Sequence, residues 1–95
     1  MKYESMLIIK GRIKEEKAEK EFENIVREYG KIVGIIRADF EGKRKLAYPL
    51  RKNTEGYFGI IEFEALTHNK SAEVETILKA NAENVLKFIT LKIGD

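Results

Sequence analysis

The sequence contains no cysteine, one proline and one histidine among its 95 residues. Without thiols there is no disulfide framework, no thiolate metal site and no thiol nucleophile. The lone His68 cannot form a zinc cluster unless several carboxylates converge on it. Long apolar runs are also missing. The longest, Met6-Leu7-Ile8-Ile9, is too short for a signal core or a membrane span, and Glu4 precedes it. A cytoplasmic protein is therefore expected. The glycines at 34, 42, 56 and 59 follow no nucleotide-binding fingerprint; each suits a bend, a turn or a close backbone approach. Catalytic chemistry finds little to work with, because the Ser and Thr hydroxyls have only His68 as a possible base and no motif joins them. Gly11-Arg12-Ile13 is weakly similar to the anion loop of acylphosphatase-like enzymes. Lys14-Glu15-Glu16 follows where a phosphate cradle would need glycines, and its carboxylates would repel an anion. We expect no enzyme, no cofactor and no metal.

What remains is a globular balance, 43% hydrophobic and 36% charged, with a net charge of +2. The charge is unevenly spread. Residues 31–58 carry seven basic side chains against three acidic, while residues 1–30 cancel. This is a modest footprint for a polyanion partner. Within it, the stretch from Gly42 to Lys52 sets five cations around Tyr48 and Pro49. Such cations suit phosphate contacts, and a tyrosine can stack on a base or pack on a protein. Lysines and a proline on an edge strand also prevent aggregation, so composition leaves both readings open.

Periodicity predicts the elements. Residues 3–9 read as a strand that is apolar on both faces, hence inside a sheet, ending at Lys10-Gly11. Residues 14–29 read as an amphipathic helix with Ala18, Phe22, Ile25, Val26 and Tyr29 on one face. Glu16 with Lys20 and Glu23 with Arg27 support it, and Gly30 stands where a left-handed cap belongs. Residues 32–40 form a second strand, bent near Glu41-Gly42-Lys43 and resuming to Tyr48. Pro49 cannot donate to a ladder, so this strand belongs at an edge. Asn53-Thr54-Glu55-Gly56 is the expected hairpin turn, with a third strand over 57–64. A helix capped by Asn69 or a neighbour runs to about Ala80 with Val74, Ile77 and Leu78 inward, leaving His68 in a polar loop; a strand over 85–93 closes the chain. The order β-α-β-β-α-β predicts an α+β, ferredoxin-like sandwich across residues 1–95: a four-stranded antiparallel sheet with both helices on one face. The other face is left bare for partners.

The run Lys43-Arg44-Lys45-Leu46-Ala47-Tyr48-Pro49-Leu50, then Lys52 and Glu55-Gly56-Tyr57-Phe58, closely resembles the signature of the sixth small-subunit ribosomal protein of bacteria. Tyr3-Glu4 at the start of the first strand and Asn84-Val85-Leu86-Lys87-Phe88 at the start of the last resemble it too. The likeness spans nearly the whole chain. It implies the same fold, a role in the small ribosomal subunit, and pairing with the eighteenth small-subunit protein to bind the central domain of the rRNA. Carried over by position, it implies rRNA contacts from Lys2, Lys87 and Lys92 with Tyr3 nearby, and a protein-partner surface at Arg44, Leu46, Tyr48 and Pro49. Because the first and last strands are neighbours in this topology, the three lysines are expected along one side. Many members carry a polar C-terminal tail that reaches the partner; this sequence ends at Asp95, so that contact is not expected here. On the residues alone, two other classes stand beside this one: an acylphosphatase-like enzyme, and a regulatory domain that dimerises through its open sheet face.

Overall fold

The first strand, β1 (Lys2–Lys10), is hydrogen-bonded on both sides, as its two apolar faces predict. The computed structural model describes residues 1–94. After β1 come α1 (Glu15–Tyr29), β2 (Gly34–Leu50), β3 (Asn53–Glu64), α2 (His68–Ala80) and β4 (Val85–Gly94). The strands pair antiparallel in the order β2-β3-β1-β4, the ferredoxin-like arrangement. The strand bearing Pro49 lies at an edge, as proline's missing N–H requires.

Alternation along β1 sorts the molecule into two faces. Tyr3, Ser5, Leu7 and Ile9 are buried beneath the helices and meet Phe63, Ile61 and Tyr57 of β3. The helices close this face with Ala18, Phe22, Ile25 and Tyr29 from α1 and Val74 and Leu78 from α2. The layer is rich in aromatic contacts. Phe63 stacks on Tyr3 at 5.6 Å between ring centroids and receives the edge of Tyr29 at 5.5 Å. Such pairs add about 0.5–1.5 kcal/mol each beyond the area they bury. Gly59 lies under Phe22, where any Cβ would collide with the ring, so its bareness lets α1 settle on β3.

Three details depart from the sequence reading. Gly30 is right-handed at φ −62°, and the chain leaves α1 through further right-handed turns, with the N–H groups of Lys31 and Ile32 donating to Glu28 and Tyr29. Neither expected pair on α1 forms an ion pair among the described residues; Arg27 donates to Asn24 instead, at 2.8 Å. Thr67 caps α2 by accepting from the N–H of Lys70, so His68 opens the helix rather than lying in a loop.

The largest departure is the hairpin turn. It falls on Arg51-Lys52, and Asn53 already begins β3 opposite Leu50. Both turn residues have positive φ, 44° and 67°, as a two-residue hairpin loop demands. Neither is glycine or asparagine, so the loop carries roughly 1–3 kcal/mol of strain per residue and persists only if its surroundings over-determine it. They do. The Asn53 amide donates to the Leu50 and Arg51 carbonyls, and Arg12 donates to the Lys52 carbonyl at 3.0 Å. Arg51 itself reaches across the end of β1 to donate to the carbonyls of Ala82 and Val85. The tip of one edge hairpin is thereby clamped to the start of the opposite edge strand.

A second tie crosses the core. The buried Tyr29 hydroxyl donates to Ser5 Oγ at 2.9 Å, and Ser5 Oγ shares a 2.7 Å hydrogen bond with Thr90, linking α1, β1 and β4. Burial pushes the Tyr29 pKa up to about 12; the hydrogen bond with Ser5 opposes this and the charge of Glu75 adds to it.

Both ties are testable by substitution. The Tyr29 pKa is raised above its ordinary value of 10.0. Its stabilising contribution is thus complete below about pH 10 and is lost as pH rises to about 12, amounting to about 2–3 kcal/mol. Tyr29→Phe should cost about 0.5–1.5 kcal/mol at neutral pH and shed most of that alkaline loss. Urea titrations of both proteins between pH 8 and 12 measure the difference, and parallel curves would refute the assignment. At the turn, Arg51→Ala should destabilise by about 1–2 kcal/mol and speed amide exchange at Asn53, which pairs with Leu50, through loss of the clamp. Lys52→Gly should instead stabilise by up to about 1 kcal/mol by relieving strain.

Candidate interaction surface

The segment carrying the signature is not an ordinary piece of edge strand. Gly42 turns the backbone at φ 88° across a shift in register, and pairing with β3 then holds as far as Lys45 opposite Glu55. The next pair is Leu50 opposite Asn53. Residues 46–49 of β2 therefore face only Thr54 of β3, and Leu46-Ala47-Tyr48-Pro49 arch away from the ladder as a wide bulge. Tyr48 is 58% exposed and Pro49 is exposed, while Leu46 is half-buried. Beside them, Arg44 lays its guanidinium over the Phe58 ring, 5.3 Å from the centroid, and pairs with Glu41 at 3.2 Å. The four proposed partner residues thus lie together along one arm.

The arm curls over the bare face of the sheet. Tyr48 crosses to Lys87 on β4, whose Nζ stands 5.9 Å from the ring centroid and 3.4 Å from the hydroxyl. Beneath the arm is a cavity of about 180 Å³. Ile8, Leu50 and Phe58 line it with apolar side chains, Leu46, Ala47 and Tyr48 come from the arm, and Lys45 and Lys87 complete the lining. Among the described residues no carboxylate lines it.

The lysines assigned to RNA divide between faces. Lys87 pairs with Ile8, and Lys2 shares the face of Ile8, so both project on the bare side. They sit near opposite ends of β1, about 20 Å apart at a strand's rise per residue. Lys92 pairs with Tyr3 and projects on the helix side. The expectation of three charges along one side is corrected here: Lys87 and Lys92 are five residues apart, an odd number, so a regular strand sends them to opposite faces. They flank the free edge of β4 from its two sides. Tyr3 is 5% exposed and stacked on Phe63, so its part is to hold β1 in the core beside Lys2 rather than to present a ring outward.

The bare face itself mixes apolar and acidic groups. Ile89 and Leu91 are exposed opposite Met6 and Glu4, and Glu62, beside Glu4, is reached by Arg37 at 3.7 Å. Among the described residues no group of His, Asp and Glu is placed to hold a metal ion, and no helix is long and apolar enough to cross a membrane. Arg12, the centre of the weak acylphosphatase-like resemblance, is engaged with the Lys52 carbonyl. The contributions of Arg51 and of the Tyr48–Lys87 contact were not readable from the sequence, because both depend on which strand ends the fold brings together.

Comparison with known proteins gives a consistent result. The family model described as ribosomal protein S6 matches residues 2–92. The small ribosomal subunit protein bS6 of Sulfurovum sp. is 36% identical over 91 residues, covering 95% of this chain and 70% of that protein. Its counterpart from Desulforamulus reducens is 32% identical over 96 residues, covering 98% and 97%. Among solved structures, 30S ribosomal protein S6 of Thermotoga maritima superposes with a TM-score of 0.79 at 28% identity, over 97% of this chain and 86% of that one. A protein of Arabidopsis thaliana, with a TM-score of 0.58 at 14% identity over 100% and 95% of the chains, shares the fold alone.

Proposed function

This chain belongs to the ribosomal protein S6 family, and from that premise we propose that it binds small-subunit rRNA together with the eighteenth small-subunit protein. Membership makes it a structural constituent of the small ribosomal subunit, part of a cytoplasmic particle, in a family of structural proteins rather than enzymes. The proposal adds the two partners, the central domain of the rRNA and the eighteenth protein, and a role in subunit assembly and translation.

The observation that carries the partner reading is the bulge at residues 46–49. Its backbone is released from the β3 ladder, its Tyr48 and Pro49 are exposed, and Arg44 is flattened on Phe58 beside them. Exposed aromatic and arginine side chains are what protein interfaces use as anchors. Freed backbone groups can also pair with an added segment. For RNA, Lys87 and Lys92 bracket the free edge of β4, and Lys2 extends the bare-face charge to the far end of β1. A phosphate backbone crossing that edge meets cations on both sides, and such contacts position without reading sequence.

Two measurements test this reading. Tyr48→Ala combined with Arg44→Glu should weaken association with the eighteenth protein by about tenfold or more while moving the unfolding midpoint little, since exposed substitutions usually stay within about 0.5 kcal/mol. Undiminished co-purification of a folded double variant would remove the arm from the interface. Lys2→Ala, Lys87→Ala and Lys92→Ala should each lower the salt slope of binding to a central-domain rRNA fragment by roughly one unit, with sequence preference unchanged. A triple variant with the wild-type slope would shift the RNA site elsewhere, first to the basic stretch from Lys43 to Lys52.

A further inference from the structure

The cavity beneath the arm is more than the underside of a bulge. Its lining brings branched and aromatic side chains from three strands around a space of about 180 Å³. The charged side chains that line it, Lys45 and Lys87, are both cationic. Lys87 has the Tyr48 hydroxyl as its hydrogen-bond partner, at 3.4 Å, and makes no ion pair among the described residues. Lys45 stands opposite Glu55 in the register but beyond ion-pair distance. An apolar pocket with a few convergent polar groups at its rim is the ordinary form of a small recognition site. This one asks for an apolar body with negative charge beside it. A nucleobase fits poorly, because apart from the Tyr48 hydroxyl the lining side chains give the donors on its edge no acceptor.

We propose that this cavity is a socket for one aromatic or large aliphatic side chain of the protein partner, seated on Ile8 and Phe58 with an adjacent carboxylate on Lys87. The inference rests on the partner reading given above and deepens it. The arm does not only present its outer surface; it roofs a hole that the partner fills from the bare face. The side chain displaces water from an apolar floor, and its neighbouring carboxylate gives Lys87 an acceptor of full charge in place of a distant phenol. Lys45 adds a weaker, more exposed attraction. The partner segment is thus specified by chemistry: a Phe, Tyr, Leu or Met next to an Asp, a Glu or a terminal carboxylate.

The socket can be tested on the protein alone with 3-phenylpropionate, which carries a ring and a carboxylate two carbons apart. Titration followed by the methyl resonances of Ile8, Leu46 and Leu50 should saturate with a dissociation constant of about 1–10 mM, in line with the efficiency of small ligands. 3-Phenylpropanamide should bind several-fold more weakly, and 3-phenylpropylamine should not saturate. Lys87→Ala should abolish the preference for acid over amide, and Ala47→Phe, which fills the cavity from its roof, should abolish binding. No saturable shift at Ile8 and Leu50, or equal affinity for acid and amine, overturns the socket. In the pair, Ala47→Phe should weaken association about tenfold; full association with a wild-type melting curve overturns it as well. Pair formation by the wild-type proteins is scored separately. If the pair forms while the probe fails, the socket falls and the partner reading stands; if the probe binds but no pair forms, the assignment to that partner falls.

Discussion

Everything on the surface of this protein is positioned by the register of β1. It is paired with β3 from Lys2 opposite Glu64 to Lys10 opposite Gly56 without a slip, and with β4 along its other side with shifts only near the ends. Side chains alternate along a strand, so one register assigns every neighbouring residue to the helix side or the bare side, and a one-residue slip would exchange them all. The buried set Tyr3, Ser5, Leu7 and Ile9 makes that exchange prohibitively unfavourable. The placement of Lys2 and Lys87 on one face, and of Lys92 on the other, is therefore a by-product of how the core packs.

The element order, the central place of β1 and the edge place of β2 were legible in the sequence. They follow from strong local signals: apolar residues on both faces of one strand, an amphipathic period in α1, a proline in β2. The residues carrying the family likeness were legible as well, but where their side chains lead was only partly so. The odd spacing of Lys87 and Lys92 already implied opposite faces. The turn at Arg51-Lys52 was hidden because local propensity argues against it; Asn53 and Gly56 look like better turn formers. It exists because Arg12, Asn53 and Arg51 reach distant or neighbouring carbonyls, an arrangement no short window of sequence reveals. Gly30 misled for the opposite reason: a residue suited to a left-handed cap was simply not used as one.

The meeting of Tyr48 with Lys87 joins two surfaces that the sequence treats as separate. One side chain comes from the arm, the other from the strand assigned to RNA. An exposed cation over an aromatic ring is worth about 0.5–1 kcal/mol, enough to bias the arm's position but not to lock it. Whatever draws Lys87 away also loosens the roof of the cavity, so occupancy at either surface changes the free energy of the other by an amount of that order.

The two margins of the sheet are built differently. The β2 margin is interrupted by Gly42 at φ 88°, the bulge and Pro49, whereas β4 runs from Val85 to Gly94 with shifts only near its ends and Lys87 and Lys92 as its guards. An unpaired strand edge of that length is a template for another strand. Growth into a fibre, however, needs two good margins on every unit. Two copies joined β4 to β4 would turn only their irregular β2 sides outward, and the symmetric contact would close on itself. The asymmetry leaves edge-to-edge growth without a second regular margin from which to continue.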